Sequence, residues 1–174
     1  MTRSVVIRIA ALILVLALIG GFVVTTVATR NSKTSAAERL YAASMHDAQG
    51  RSQALSQWQG RYLVVNFWAT WCAPCVKEMP ELDLVQRQYA RRNVSIIGIG
   101  IESEDKVRQF RDRLGLELTL LAGGYSALSF ARGFGDDQGV LPYTVMLSTK
   151  GEVLHTCAGA LQSGQLQAWL AAVP

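Results

Sequence analysis

The hydrophobic pattern divides the chain near residue 30. Before that point Ile9 to Ala28 runs without a charge and consists mostly of Leu, Ile, Val and Ala. Twenty helical residues span ~30 Å, about the hydrocarbon thickness of a bilayer. The apolar core of a cleaved signal peptide is usually only ~7–15 residues long, and the best small-residue cleavage candidate, Thr26-Val27-Ala28, is weak. The pattern therefore predicts an uncleaved anchor over residues 1–30. Arg3 and Arg8 precede it, which favours a cytoplasmic N-terminus, and Arg30 and Lys33 follow it, which makes the bias modest. With or without cleavage, the remainder is sent across the membrane.

Residues 31–39 are polar and read as a linker, so the folded domain is expected over 40–174. Leu40 to Met45 and the stretch around Leu55 flank the turn chemistry of Asp47-Ala48-Gln49-Gly50, which predicts a hairpin. Ser56-Gln57-Trp58 suits a short helical turn. Tyr62 to Phe67 and Val94 to Ile101 are runs of β-formers fit for buried strands, the second with alternating Ile and Gly at its end. Between them a helix is predicted from Cys72 or just after it to about Arg91, kinked at Pro80. A helix over Glu104 to Leu114 should stop at Gly115. A strand at Leu118 to Leu121 and a helix at Ser126 to Arg132 follow. Tyr143 to Leu147 and Glu152 to Cys157 form a second hairpin around Ser148-Thr149-Lys150-Gly151. A helix over Gln165 to Ala172 closes the chain, with Ser163 a candidate cap. This order implies an α/β fold, a mixed sheet with helices on both faces.

Charge changes the picture little. The net charge is +4, but Arg3, Arg8 and Arg30 all lie before residue 31; removing them from the 17 basic residues leaves 14 against 13 acidic ones. A near-neutral domain argues against nucleic-acid binding.

The chemistry concentrates at Trp71-Cys72-Ala73-Pro74-Cys75, between a buried strand and a helix. A thiolate, not a thiol, attacks a disulfide. A helix N-terminus offers free N–H groups and about half a positive charge, so it stabilises an anion there. Cys72 is expected at that end and exposed; Cys75, one turn on and more buried, suits the resolving role. Pro74 falls in the first turn, where its missing N–H costs nothing. A closed zinc site would want four ligands; the other candidates, Cys157, His46 and His155, show no paired spacing. No metal and no cofactor is called for.

The segment Val64-Val65-Asn66-Phe67-Trp68-Ala69-Thr70-Trp71-Cys72-Ala73-Pro74-Cys75 resembles the active-site segment of thioredoxin-like proteins, and Val76-Lys77-Glu78-Met79-Pro80-Glu81-Leu82 narrows the resemblance to the TlpA/ResA-like family of membrane-anchored thiol-disulfide oxidoreductases. Leu141-Pro142-Tyr143-Thr144 resembles that family's cis-proline loop, and Gly151-Glu152-Val153 with Gly159 its last hairpin. The resemblance covers roughly Leu40 to the C-terminus. It implies a thioredoxin-like fold with an N-terminal β-hairpin and a central α/β insertion, following one transmembrane helix. It also implies a domain facing the periplasm or cell exterior from a bacterial inner membrane.

The resemblance further implies that Glu78, on the helix face of Cys75, assists proton transfer at the cysteines. Asn66 stands where thioredoxin usually holds a buried aspartate; an amide cannot act as the base, and satisfying buried backbone groups is its expected task. Pro142 is expected to be cis, with the backbone of Leu141 and the surfaces of Trp71 and Pro74 meeting an extended substrate. Trp71 is expected to cover the disulfide on one side and Trp68 to pack in the core. Cys157 reads as a spare thiol, His46 and His155 as surface residues.

Ala73-Pro74 places no charge between the cysteines, which favours a reductant. In an oxidising compartment a reductant needs electrons through the membrane, and the resemblance implies a transmembrane thiol donor of DsbD or CcdA type. Apocytochrome c and copper-site proteins of respiratory oxidases are the implied disulfide substrates. Two other readings stay open: a disulfide-forming oxidant, and a copper chaperone using Cys72, Cys75 and His155.

Overall fold

A computed structural model describes residues 36–173. The predicted anchor, Ile9 to Ala28, lies outside the described residues. Among those residues no helix is long and apolar enough to cross a membrane.

One mixed sheet organises the domain. Its strands are β1 (Ser44–Asp47), β2 (Ser52–Ala54), β3 (Tyr62–Trp68), β4 (Val94–Gly100), β5 (Thr119–Ala122), β6 (Tyr143–Leu147) and β7 (Val153–Ala158). They lie in the order β2-β1-β5-β4-β3-β6-β7. β3, β4 and β5 run parallel, while β6 is antiparallel to β3 and β1 to β5. The helices are α1 (Ala73–Gln88), α2 (Glu104–Leu114), α3 (Ser126–Gly133) and α4 (Gln165–Ala171), preceded by a helical segment at 36–41.

Strand periodicity decides which residues meet which helices. Leu63, Val65 and Phe67 of β3 join Ile97, Ile99 and Leu121 under the 36–41 segment and α3. Val64 and Trp68 point the other way, into a second core with Cys75, Met79, Leu82 and Val85 of α1, Phe110 of α2 and Leu166 and Leu170 of α4. The Ile–Gly alternation of β4 has a packing reason. The Trp68 ring lies at 4.5 Å from that of Phe110, and a Cβ on Gly98 would sit 3.0 Å from the Trp68 Nε1. Only a bare backbone lets the indole lie against the strand.

Several expectations need correction. The fold does not wait for Leu40. Residues 36–39 of the expected linker are already helical, with Ala36 and Ala37 buried, because small apolar side chains let that turn sit close on the sheet. The same helical segment occupies the first part of the strand expected at 40–45, and β1 starts at Ser44. α1 ends at Gln88 rather than Arg91. Ser163 is not the cap of α4; Gly164 takes that position in a left-handed conformation, at φ 77°. Gly115, by contrast, ends α2 as expected, at φ 63° with its N–H on the Arg111 carbonyl.

Candidate active site

The C-terminal ends of the parallel strands share one edge of the domain, and the chain leaves β3 there to enter α1. Cys72 is the N-cap of α1, in extended backbone, and its Sγ accepts the Cys75 N–H at 3.3 Å. Cys72 and Cys75 form a disulfide of 2.02 Å, with Cα atoms 5.3 Å apart. Pro74 is exposed in the first turn of the helix, where no donor is needed. The expected exposure of Cys72 is not found: it is buried like Cys75, its sulfur bonded to that of Cys75 and lying against the first turn, where it accepts the Cys75 N–H. Trp71, the preceding residue, is 70% exposed, so its cover of the disulfide is at most partial. Trp68 is fully buried, as expected.

Glu78 lies three residues beyond Cys75, on the same helix face. It is buried at 8% exposure, which excludes a solvated helix charge. Its Oε1 accepts the Asn66 Nδ2 at 2.7 Å, and its Oε2 accepts the Leu161 N–H at 3.1 Å. Burial pushes the Glu78 carboxyl above its ordinary value; those two hydrogen bonds offset part of the rise, and the charge of Glu81 adds to it. A carboxylate made more basic in this way is a better proton acceptor near neutral pH.

The expected task of Asn66 is corrected. Its amide serves side chains rather than backbone: Nδ2 donates to Glu78 and to Thr144 Oγ1, the latter at 3.0 Å. Asn66 and Thr144 face each other across β3 and β6. Thr144 follows the cis Leu141–Pro142 bond by two residues, so the proline loop and the Glu78 carboxylate share one network. Pro142 is buried, Leu141 half-buried, and the Pro142 carbonyl accepts the Gly159 N–H at 2.9 Å.

Three participants escaped the sequence. Thr144 reaches the Glu78 network through Asn66, across the β3–β6 register, and the Leu161 N–H reaches it from the segment after β7. Glu102, at the end of β4, accepts both the Thr70 N–H at 3.0 Å and the Thr70 hydroxyl at 2.6 Å on Oε1, two residues before Cys72. The only signal was an acidic residue directly after a buried strand. Cys157 is a half-buried free thiol opposite Thr144, with its Sγ 3.7 Å from the Gly159 carbonyl oxygen. His155 stacks on Trp169 at 4.9 Å. Among the described residues no three His, Cys, Asp or Glu side chains gather as a ligand set.

Comparison with known proteins agrees with this geometry. The family model described as Redoxin matches residues 34–168. The chain is 26% identical over 172 residues to the thiol-disulfide oxidoreductase ResA of Geobacillus kaustophilus, covering 98% of this chain and 97% of that one. It is 28% identical over 130 residues to the thioredoxin-like protein YneN of Bacillus subtilis, covering 71% and 72%. Among solved structures, a thiol:disulfide interchange protein of the thioredoxin family from Chlorobium tepidum superposes with a TM-score of 0.65 at 23% identity, over 74% of this chain and 90% of that one. A secreted disulfide oxidoreductase of Mycobacterium tuberculosis, homologous to E. coli DsbE, gives 0.65 at 21% identity, over 78% and 98%. At those identities the two structures establish the shared thioredoxin-like fold.

Proposed function

Since this chain belongs to the Redoxin family, in its TlpA/ResA-like branch, and is a thiol-disulfide oxidoreductase, we propose that it is the membrane-anchored, extracytoplasmic reductant of protein disulfides within that class. The observation that carries the chemistry is the Cys72–Cys75 pair capping α1, with buried Glu78 one turn further on. In the reduced protein the Cys72 thiolate attacks a substrate disulfide. A mixed disulfide forms and one substrate sulfur leaves as a thiolate. Cys75 then gives its proton to Glu78 and attacks Cys72 Sγ, which releases the second substrate thiolate and closes the Cys72–Cys75 disulfide. The substrate has gained two electrons, and its two thiolates take up the proton held on Glu78 and the one that Cys72 released to solvent. A transmembrane thiol donor of DsbD or CcdA type returns the electrons. Trp71 and Pro74, beside the cysteines in sequence, and the Leu141–Pro142 loop receive the substrate chain. Uncharged Ala73-Pro74 favours the reducing direction, and apocytochrome c or copper-site proteins of respiratory oxidases are the substrates in view. The uncharged run Ile9 to Ala28 supports the single-pass anchor in the inner membrane.

The test uses the detergent-purified full chain with dithiothreitol and insulin. Cys72→Ser abolishes turnover, and Cys75→Ser accumulates mixed disulfides. Full activity in Cys72→Ser would overturn the site. The reduction potential of the couple decides direction: a potential near that of thioredoxin, about −270 mV, supports a reductant, and one near DsbA, about −120 mV, supports the oxidant reading. Retention in membranes after a high-salt wash supports the anchor; a mature N-terminus near Thr29 overturns it.

A further inference from the structure

The chain between Trp68 and Ala73 has to present Cys72 at the start of α1, yet it belongs to neither element. Inside it the Cys72 N–H bonds the Ala69 carbonyl at 3.2 Å, a local turn that fixes nothing against the sheet. Its attachment to the sheet comes from β4. The Ile101 N–H bonds the Trp68 carbonyl at 2.9 Å, which brings the next residue, Glu102, alongside the loop. One oxygen of Glu102 then takes both the amide and the hydroxyl of Thr70, and the other meets Lys106 Nζ at 3.3 Å. Glu102 is 5% exposed. A carboxylate is costly to bury unless donors satisfy it, and Thr70 supplies two of the donors. Nor is Glu102 there to cap α2, whose N-cap is Ser103.

We propose that Glu102 is a positioning residue for the nucleophile: by holding Thr70 from the end of β4, its carboxylate oxygen seats Cys72 at the N-terminus of α1. This rests on the reductase reading above and adds a residue to it. The role is that of an acceptor in the right place, and the charge is secondary, since Lys106 is largely exposed. A glutamine keeps the oxygen and loses the charge, whereas a leucine of similar size loses both.

The test compares Glu102→Gln, Glu102→Leu and Thr70→Val in the full-length protein. Two things are measured in proteins with native circular dichroism: insulin reduction, and the pH profile of Cys72 alkylation in the reduced state. A misplaced reacting group costs up to ~10²-fold, so Glu102→Leu is expected to lose roughly 10-fold to 100-fold in kcat/KM. Its Cys72 alkylation profile should also move to higher pH as the sulfur leaves the helix terminus. Glu102→Gln is expected within about twofold of the parent in both readings, and Thr70→Val between the two. A residue that only stabilised the fold would lower the melting temperature without moving the alkylation profile. That result in Glu102→Leu overturns the proposal, as does Glu102→Gln behaving like Glu102→Leu. If Glu102→Leu does not fold, an unchanged profile in Thr70→Val overturns it. Alkylation reads Cys72 without turnover. A parent protein inactive on insulin therefore defeats the reductase reading and leaves this comparison intact.

Discussion

Two carboxylates flank the active-site loop, and they end in opposite states. Glu78 on α1 and Glu102 at the end of β4 are both buried and both accept hydrogen bonds. Burial raises each carboxyl, but only Glu78 ends above its ordinary value. At Glu102 the hydroxyl and amide of Thr70 and the ammonium of Lys106 outweigh burial and hold the carboxyl below the ordinary value. Glu78 has a neutral amide, one backbone N–H and a like charge nearby at Glu81. The donors, not the depth, decide which way each carboxyl is shifted. One is suited to take a proton, the other to accept the Thr70 donors and hold a loop.

The largest effect expected from breaking this contrast is kinetic. Glu78→Gln preserves shape and removes the base, and general-base help is typically ~10²–10⁴-fold. A thiol needs less help than an alcohol, so resolution of the mixed disulfide should slow by roughly 10-fold to 100-fold. Stopped-flow measurement of substrate release reads this, and an unchanged rate removes Glu78 from the mechanism.

Next comes Asn66→Leu, which takes the donor from Glu78 and Thr144 together. Leaving buried polar groups unpaired costs about 1–3 kcal/mol, measurable by urea denaturation. The same change should push the Glu78 carboxyl further up, because the amide bond now lowers it. The pH dependence of resolution should therefore shift to higher pH.

Stability against pH sharpens the comparison. The raised carboxyl of Glu78 disfavours folding at neutral pH: its contribution is most favourable below the unfolded value near 4.5 and is lost as pH rises through its folded pKa. Glu102, held low, contributes stability above the ordinary value near 4.5, and that is lost as pH falls through its folded pKa. Measured against the parent by denaturant titration, Glu78→Gln should gain relative stability as pH rises above 4.5. Glu102→Gln should regain it as pH falls below 4.5. Parallel curves for the two variants would contradict the assignment of opposite shifts. The smallest effect belongs to Lys106→Met. Its side chain is 62% exposed, and exposed pairs contribute only about 0.2–1 kcal/mol, screened further by salt. A shift in the thermal midpoint larger than that of Asn66→Leu would mean that the charge, and not the Thr70 bonds, holds Glu102.

Local pattern was enough for much of this protein. A cysteine pair between β-formers and a helical stretch, a glycine after Leu114 and a turn between two β-runs each act through neighbours a few residues away. β3, β4, the β6–β7 hairpin and the helix carrying Cys75 were accordingly legible, and the cis bond at Pro142 followed from the resemblance of its loop. Tertiary structure alone decided what depends on register between distant strands. It set Asn66 against Glu78 and Thr144 rather than against backbone, and drew Ala36 and Ala37 into the core. It buried Cys72 beside Cys75, and carried Glu102 to Thr70 across the β3–β4 pairing. A side chain's type records what it is able to bond. Its partner, when 12 or 78 residues away as for Asn66, is set by how the sheet is stacked. The sign of a buried carboxylate's shift depends on those partners, so the sequence supplied both glutamates while the fold decided which carboxyl is raised and which is lowered.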